Sequence, residues 1–233
     1  MDERIVLLLA LQGKDQQCSD LSARVEDLKV QRLRVERKRS EERATVDSLR
    51  QHLESMQRDS RLKNLSVDEL DLKIRDYQKQ LEHGIISFKE MEALRTKIAN
   101  QRRRISDMED DALLLMEEIE ATAQRLEDAV VELAQREEKF AADCEEIDAQ
   151  LARTSEEITR LEDERTGIAA AIPAHTLTRY EHLRTKFADP VVPFVDGSCF
   201  GCKLNVSEIV IERVRSDLEI VTCETCSRIL YAP

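Results

Sequence analysis

The chain has 233 residues, 36% of them charged and only 3% aromatic, with no Trp, 5 Gly and 4 Pro. So little aromatic bulk and so few turn formers exclude an ordinary globular domain of this length and suit long helices that bury a narrow seam. The formal net charge of -12 argues against a general polyanion binder and gives no sign of a membrane-surface protein.

The run Ile5-Val6-Leu7-Leu8-Leu9-Ala10-Leu11 is too short to cross a bilayer, lacks a basic leader and runs into charged helix. It reads as packing surface, with no membrane insertion and a cytoplasmic location as the expectation. From Leu21 to Leu81 a 4-3 spacing then runs unbroken. It comprises Leu21, Val25, Leu28, Arg32, Val35, Arg39, Glu42, Val46, Leu49, Leu53, Met56, Ser60, Lys63, Val67, Leu70, Ile74, Tyr77 and Leu81. Thirteen of these eighteen positions are apolar, which is a coiled-coil seam and not the wider stripe of a globular helix. Ser66-x-x-Glu69 has the form of a capping box, but the seam keeps its frame through it, so only a local irregularity is expected there.

His83-Gly84 interrupts the pattern, and Ser87-Phe88-Lys89-Glu90 is a capping box that opens a second helix. Its seam reads Met91, Leu94, Ile98, Ile105, Met108, Ala112, Leu115, Ile119 and Leu126. After Leu126 the frame shifts by one residue and continues as Val130, Leu133, Phe140, Cys144, Ile147, Leu151, Ile158, Leu161 and Ile168. The steps Thr122 to Leu126 to Val130 mark a stutter, where the supercoil should unwind. This helix is expected to end near Ala171, before Pro173. Cys18 and Cys144 fall on seam positions and read as small core residues.

Two helices of about 80 residues joined by a short Gly-containing turn imply an antiparallel hairpin. Folding about Gly84 pairs residues whose numbers sum to roughly 169, so that Val35 faces Leu133. In that register the basic stretch Arg32 to Arg43 lies opposite Glu127, Asp128, Glu132, Glu137 and Glu138. Arg102-Arg103-Arg104 lies opposite Asp68, Glu69 and Asp71, and Asp107 to Asp111 opposite Arg58, Arg61 and Lys63. A parallel dimer of straight helices would set like charge against like at all three places. The hairpin is the better reading.

After Pro173 a short amphipathic helix is expected over Leu177 to Phe187, with Tyr180, Leu183 and Phe187 on one side. Asp189-Pro190-Val191-Val192-Pro193-Phe194 reads as an extended connector, because its prolines prevent helix. Then comes the strongest chemical signal in the chain: Cys199-Phe-Gly-Cys202, twenty residues, and Cys223-Glu-Thr-Cys226. Two CxxC knuckles at this spacing supply the four thiolates of one closed, tetrahedral structural zinc site. Ser207 is placed to cap a short helix containing Val210, Ile211 and Val214, with a strand left open by the Val/Ile content. Leu218 to Val221 and Ile229 to Tyr231 read as strands. The unit has too few apolar residues to fold without its metal.

The expected architecture is therefore mainly α: a long antiparallel coiled-coil hairpin over 1–172 with its tip near 82–87, a short helix and connector over 173–195, and a small zinc ribbon over 196–233. The antiparallel path returns to the hairpin base, where Ile5 to Leu11, Ile168, Ile172 and the Tyr180 helix should share a small core.

No small-molecule substrate and no enzymatic activity are expected. His52, His83, His175 and His182 are scattered over separate elements without a nucleophile or carboxylate arrangement, and no Gly-rich phosphate loop is present. The alternative to a protein-binding adaptor is a nucleic-acid-binding regulator acting through the ribbon face. Arg213, Arg215 and Arg228 could form its basic patch, and Phe200 and Tyr231 could stack on bases. Against it, residues 188–233 carry four basic and seven acidic side chains, and a zinc tetrathiolate adds about two negative charges. On the plainer reading both aromatics fill the ribbon core.

Three groups of residues carry a family resemblance. They are Phe88-Lys89-Glu90-Met91-Glu92-Ala93-Leu94 with Lys97-Ile98, Arg179-Tyr180-Glu181-His182-Leu183-Arg184, and the ribbon strings Gly197 to Cys202 and Cys223 to Tyr231. The chain resembles, over essentially its whole length, the bacterial proteins with a long coiled-coil hairpin followed by a four-cysteine zinc ribbon. The family usually has glycine where this chain has Ser227, and often where Ala188 and Asp189 stand. The resemblance implies a regulatory adaptor whose partners are the alternative sigma factor 54, flagellar or type III secretion components, or in some cases mRNA.

Overall fold

The computed structural model describes residues 2–216 and 219–233. Two helices account for most of them: α1 (Glu3–His83) and α2 (Phe88–Ala170). They are followed by α3 (Ala174–Arg184), β1 (Val191–Val195), β2 (Ser198–Cys199), α4 (Glu208–Ser216), β3 (Val221–Thr222) and β4 (Ile229–Tyr231). The chain divides into two compact units, one formed by residues up to Leu33 with Cys144–Pro233, the other by Arg34–Asp143.

In the Arg34–Asp143 unit the link between the helices is built by the capping box. Glu90 Oε2 accepts from the Ser87 backbone N–H and hydroxyl, both at 2.8 Å, and the Ser87 carbonyl accepts from Met91 at 3.0 Å. Cross-helix ion pairs establish the antiparallel direction: Lys63–Asp111 at 3.4 Å, Glu42–Arg136 at 3.1 Å, and both Arg39 and Arg43 on Glu137 at 2.6 and 2.5 Å. α1 is continuous through Ser66, whose hydroxyl turns back to the Leu62 carbonyl.

All eighteen α1 seam positions from Leu21 to Leu81 are buried or half-buried, the polar ones included. On α2 the reading needs one correction. Val130 is exposed and Ala129 faces inward, so the consecutive four-residue steps run Ala129 to Leu133 to Glu137, one heptad beyond the expected stutter. Hydrophobicity pointed to Val130, but a stutter widens the space between helices, and the small Ala129 lines the resulting cavity with Val46, Leu133, Glu42 and Arg136.

The register differs as well. Paired residue numbers sum to 174 at Lys63–Asp111 and 178 at Glu42–Arg136, not to 169, and Leu133 shares its cavity with Val46 instead of facing Val35. Matching charge clusters could not reveal this register, because long side chains reach a full turn either way, as Arg39 and Arg43 show by meeting on one carboxylate. Exposed pairs of this kind contribute on the order of 0–1 kcal/mol each, so the apolar seam sets the register.

In the other unit the apolar start of α1 meets the end of α2 and α3. Ile5, Leu8, Leu11, Ile172, Tyr180 and Leu183 form a buried core with Val191 and Ile229, packed on by Ile168, Leu177 and Phe187. α3 begins three residues earlier than expected because Pro173 serves as its N-cap, its carbonyl accepting from Thr176 and Leu177. Polar residues seal this core. The Tyr180 hydroxyl donates to Asp15 Oδ2 at 2.6 Å, Arg165 Nε and Arg184 Nη1 donate to Asp15 Oδ1 at 2.7 and 3.2 Å, and Arg165 also meets Glu181.

The four strands form one sheet in the order β2-β1-β4-β3, with β1 parallel to β4 and the other pairs antiparallel. The prolines of the expected connector do not keep it out of the sheet. Pro193 lacks an N–H, but its carbonyl accepts from Phe200 at 3.1 Å, and the Pro190 carbonyl accepts from Ile229 at 2.9 Å. Side chains alternate along β1 and β4. Val191 and Ile229 enter the helical core, while Val192, Phe194 and Leu230 enter a second core with Val206, Val210, Val214, Val221, Cys199 and Cys223. Of the expected strand Leu218 to Val221, Val221 lies in β3 and Leu218 falls outside the described residues.

Candidate metal centre

Two turns of the same construction carry the four cysteines. In the first, the Cys199 carbonyl accepts from Lys203 at 2.8 Å and the Cys199 N–H donates to Leu204 at 2.9 Å. In the second, the Cys223 carbonyl accepts from Ser227 at 2.9 Å and the Cys223 N–H donates to Arg228 at 2.9 Å. Each turn closes through a residue in the left-handed region, Lys203 at φ 62° and Ser227 at φ 64°. Ser227 thus occupies the conformation for which glycine is the low-cost residue. Gly201 is required for another reason: a Cβ there would come within 2.7 Å of the Arg228 side chain.

The turns bring all four sulfur atoms within 4.8 Å of one another. Cys199 and Cys226 lie 3.8 Å apart, and Cys202 and Cys223 3.7 Å. Four thiolates at bond lengths of about 2.3 Å around a tetrahedral ion stand about 3.8 Å apart. The residues therefore fit one structural metal ion. Their protonation is uneven: burial pushes the Cys199 thiol up to about 12. Burial also works against ionisation of Cys223, but the amide N–H groups of Cys226 and Thr225 outweigh it and bring that thiol down to about 7. Cys18 and Cys144, by contrast, are half-buried helix residues outside this cluster.

α4 begins after Ser207, whose carbonyl accepts from Ile211 at 3.0 Å, and buries Val210 and Val214 against the core that contains Cys199 and Cys223. The three arginines of the possible basic patch fare differently. Arg213 donates to Glu219 at 2.7 Å. Arg228 is half-buried, pairs with Asp189 at 2.8 Å and lies 3.9 Å over the Phe187 ring. Arg215 alone of the three forms no ion pair among the described residues. Arg228 is thus an internal residue of the ribbon and does not join a surface patch.

The aromatics separate in the same way. Tyr231 packs beside the helical core, whereas Phe200 is 55% exposed, with Lys203 Nζ over its ring. Leu204 and Ile209 are also exposed, at 51% and 71%. Neither aromatic fills the ribbon core, which Phe194 and the valines occupy: Tyr231 packs on the helical side of the sheet and Phe200 faces outward. Sequence reasoning also missed Gln12 and Asp15. Both follow Leu8 and Leu11 on the inward face of α1, and a polar residue continuing an apolar stripe is the signal for a buried hydrogen bond.

The sequence profile of the CT398-like coiled coil hairpin domain matches residues 11–188. The chain belongs to this family. Among solved structures it is similar to CT398 from Chlamydia trachomatis, at 22% identity and TM-score 0.87, over 99% of this chain and 98% of that one. A protein from Mycobacterium smegmatis follows at 17% identity and TM-score 0.76, over 99% and 97%. The HP0958 protein from Helicobacter pylori shares 16% identity at TM-score 0.61, over 98% and 97%. These likenesses bear on the fold. No curated protein matches the sequence. Among the described residues, no helix of this family member is long and apolar enough to cross a membrane.

Proposed function

We propose that the chain is a non-enzymatic adaptor that binds partner proteins through its ribbon and helical hairpin, with one structural Zn²⁺ held by Cys199, Cys202, Cys223 and Cys226. The observation that carries this reading is the exposure of Phe200, Leu204 and Ile209 on a unit whose core is complete without them. Exposed aromatic and aliphatic side chains on a small, rigid unit are the usual anchors of a protein interface. Four thiolates close the coordination sphere of zinc and leave no position for substrate, so the metal acts by holding the surface in shape. A reducing compartment such as the cytoplasm keeps those thiols available. The partners to test first are those implied by the resemblance: sigma factor 54, or a flagellar or type III secretion component.

One observation favours the alternative, an RNA-binding ribbon: an exposed Phe200 beside Lys203 is also a surface on which a base could stack. The engagement of Arg213 and Arg228 elsewhere weighs against it. Affinity capture from a bacterial lysate, with and without nuclease, separates the two. A protein partner retained after nuclease and lost with Phe200→Ala supports the adaptor. Capture that disappears with nuclease and falls steeply with added salt supports RNA.

A further inference from the structure

The Arg228 side chain stands where three segments meet. Its Nη2 donates to Asp189, its guanidinium stacks on Phe187, and it lies flat against Gly201 of the first knuckle. With the side chain only 12% exposed, every N–H of this cation should find an acceptor. Yet Nε is buried and has no hydrogen-bond partner among the described residues. Arg228 stands two residues beyond Cys226 on the second knuckle, and its side chain reaches Gly201, between Cys199 and Cys202 of the first.

A thiol is a weak acceptor, whereas a charged acceptor makes a hydrogen bond about twice as strong as a neutral one. Four thiolates on one divalent ion also leave about two negative charges in a small core. Both features call for a fixed N–H donor beside the sulfurs. We propose that Arg228 is the outer-sphere donor of the metal centre, its Nε–H directed at the Cys226 thiolate, and that through Asp189 and Phe187 it couples metal loading to the segment entering β1. This rests on the reading of the four cysteines as one metal site. The guanidinium fork suits the task because it can serve a carboxylate on one edge and a sulfur on the other, which an ammonium cannot do with the same geometry.

The test uses the full chain loaded with Zn²⁺ or Co²⁺, as wild type and as Arg228→Met, Arg228→Lys and Asp189→Asn. Removing the donor from a thiolate raises its electron-donating power. The thiolate-to-cobalt charge-transfer band should therefore move to longer wavelength in R228M and R228K. Zinc should also pass to a chelator about tenfold faster in R228M, the range expected for loss of an outer-shell partner. D189N, which keeps the guanidinium, should leave the band in place. R228K keeps a long cationic side chain, so it reports even if the R228M ribbon fails to fold. An unshifted band in R228K, or an equal shift in D189N, would overturn the proposal by assigning Arg228 to packing alone. A wild-type chain that binds neither ion overturns the metal reading together with it.

Discussion

The side-chain amide of Gln12 serves both backbone hydrogen-bonding groups of Val191: its Oε1 accepts from the Val191 N–H at 2.7 Å and its Nε2 donates to the Val191 carbonyl at 3.0 Å. A helix side chain thus acts as a one-residue neighbouring strand for β1. Val191 is almost fully buried, so neither group could turn to water if Gln12 were lost. Gln12→Ala should lower stability by about 2–3 kcal/mol, the cost of leaving buried polar groups unpaired. Urea unfolding of the full chain checks this, and a change below about 0.5 kcal/mol would show that the clamp is replaced.

Replacement of Cys223 by Ser should remove one equivalent of bound zinc and unfold the ribbon, while most of the far-ultraviolet helical signal persists. Elemental analysis and circular dichroism on the same sample decide the matter. Unchanged zinc content would refute the ligand assignment.

The revised register can be read by cross-linking. In a chain with Cys18 and Cys144 changed to Ser, cysteines at Val46 and Leu133 should be joined within one chain by a short bis-maleimide. Cysteines at Val35 and Leu133 should react far less. The reverse preference would restore the simple fold about Gly84.

Ser227 carries the backbone strain of the second knuckle, at φ 64°. Ser227→Gly should stabilise the zinc-loaded ribbon by about 1 kcal/mol, since glycine adopts this conformation without steric cost. Lys203, in the matching position of the first knuckle, is a poorer candidate because its ammonium lies over Phe200. A zinc-release midpoint in denaturant that does not rise in Ser227→Gly would contradict the prediction.

Hydrogen bonds from Arg43 and Arg39 hold the Glu137 carboxyl at about 2, well below its ordinary 4.5. A carboxyl depressed in the folded state contributes stability that is present above the unfolded value and lost as the pH falls from about 4.5 to about 2. The melting temperatures of wild type and Glu137→Gln should therefore differ most near neutral pH and converge in acid. A gap independent of pH would mean that the carboxylate charge is not what matters there.

Periodicity alone placed all eighteen seam residues of α1 from Leu21 to Leu81 away from full exposure, because a coiled-coil seam repeats the same local environment. It placed the α2 stutter a heptad too early, since Val130 is more apolar than Ala129 whereas the cavity selects by size. Ligand spacing identified the cysteine cluster, which the two knuckle turns bring together. The roles of Gln12, Asp15 and Arg228 could not be read in this way. The pairings of Gln12 with Val191, Asp15 with Tyr180 and Arg228 with Asp189 each span more than 35 residues, and neither helical period nor knuckle spacing encodes them.

The alternation of Val191 and Val192 between two cores has a consequence for how this architecture can vary. One residue inserted or deleted within 190–195 would exchange the faces of β1, turning Val191 toward the cysteines and Val192 toward the helices. Two cores would be disrupted by a change of one residue in length. Length changes should thus be tolerated around residues 84–87, but not in this six-residue stretch. Its fixed length keeps the cysteine-bearing face and the helical face in phase.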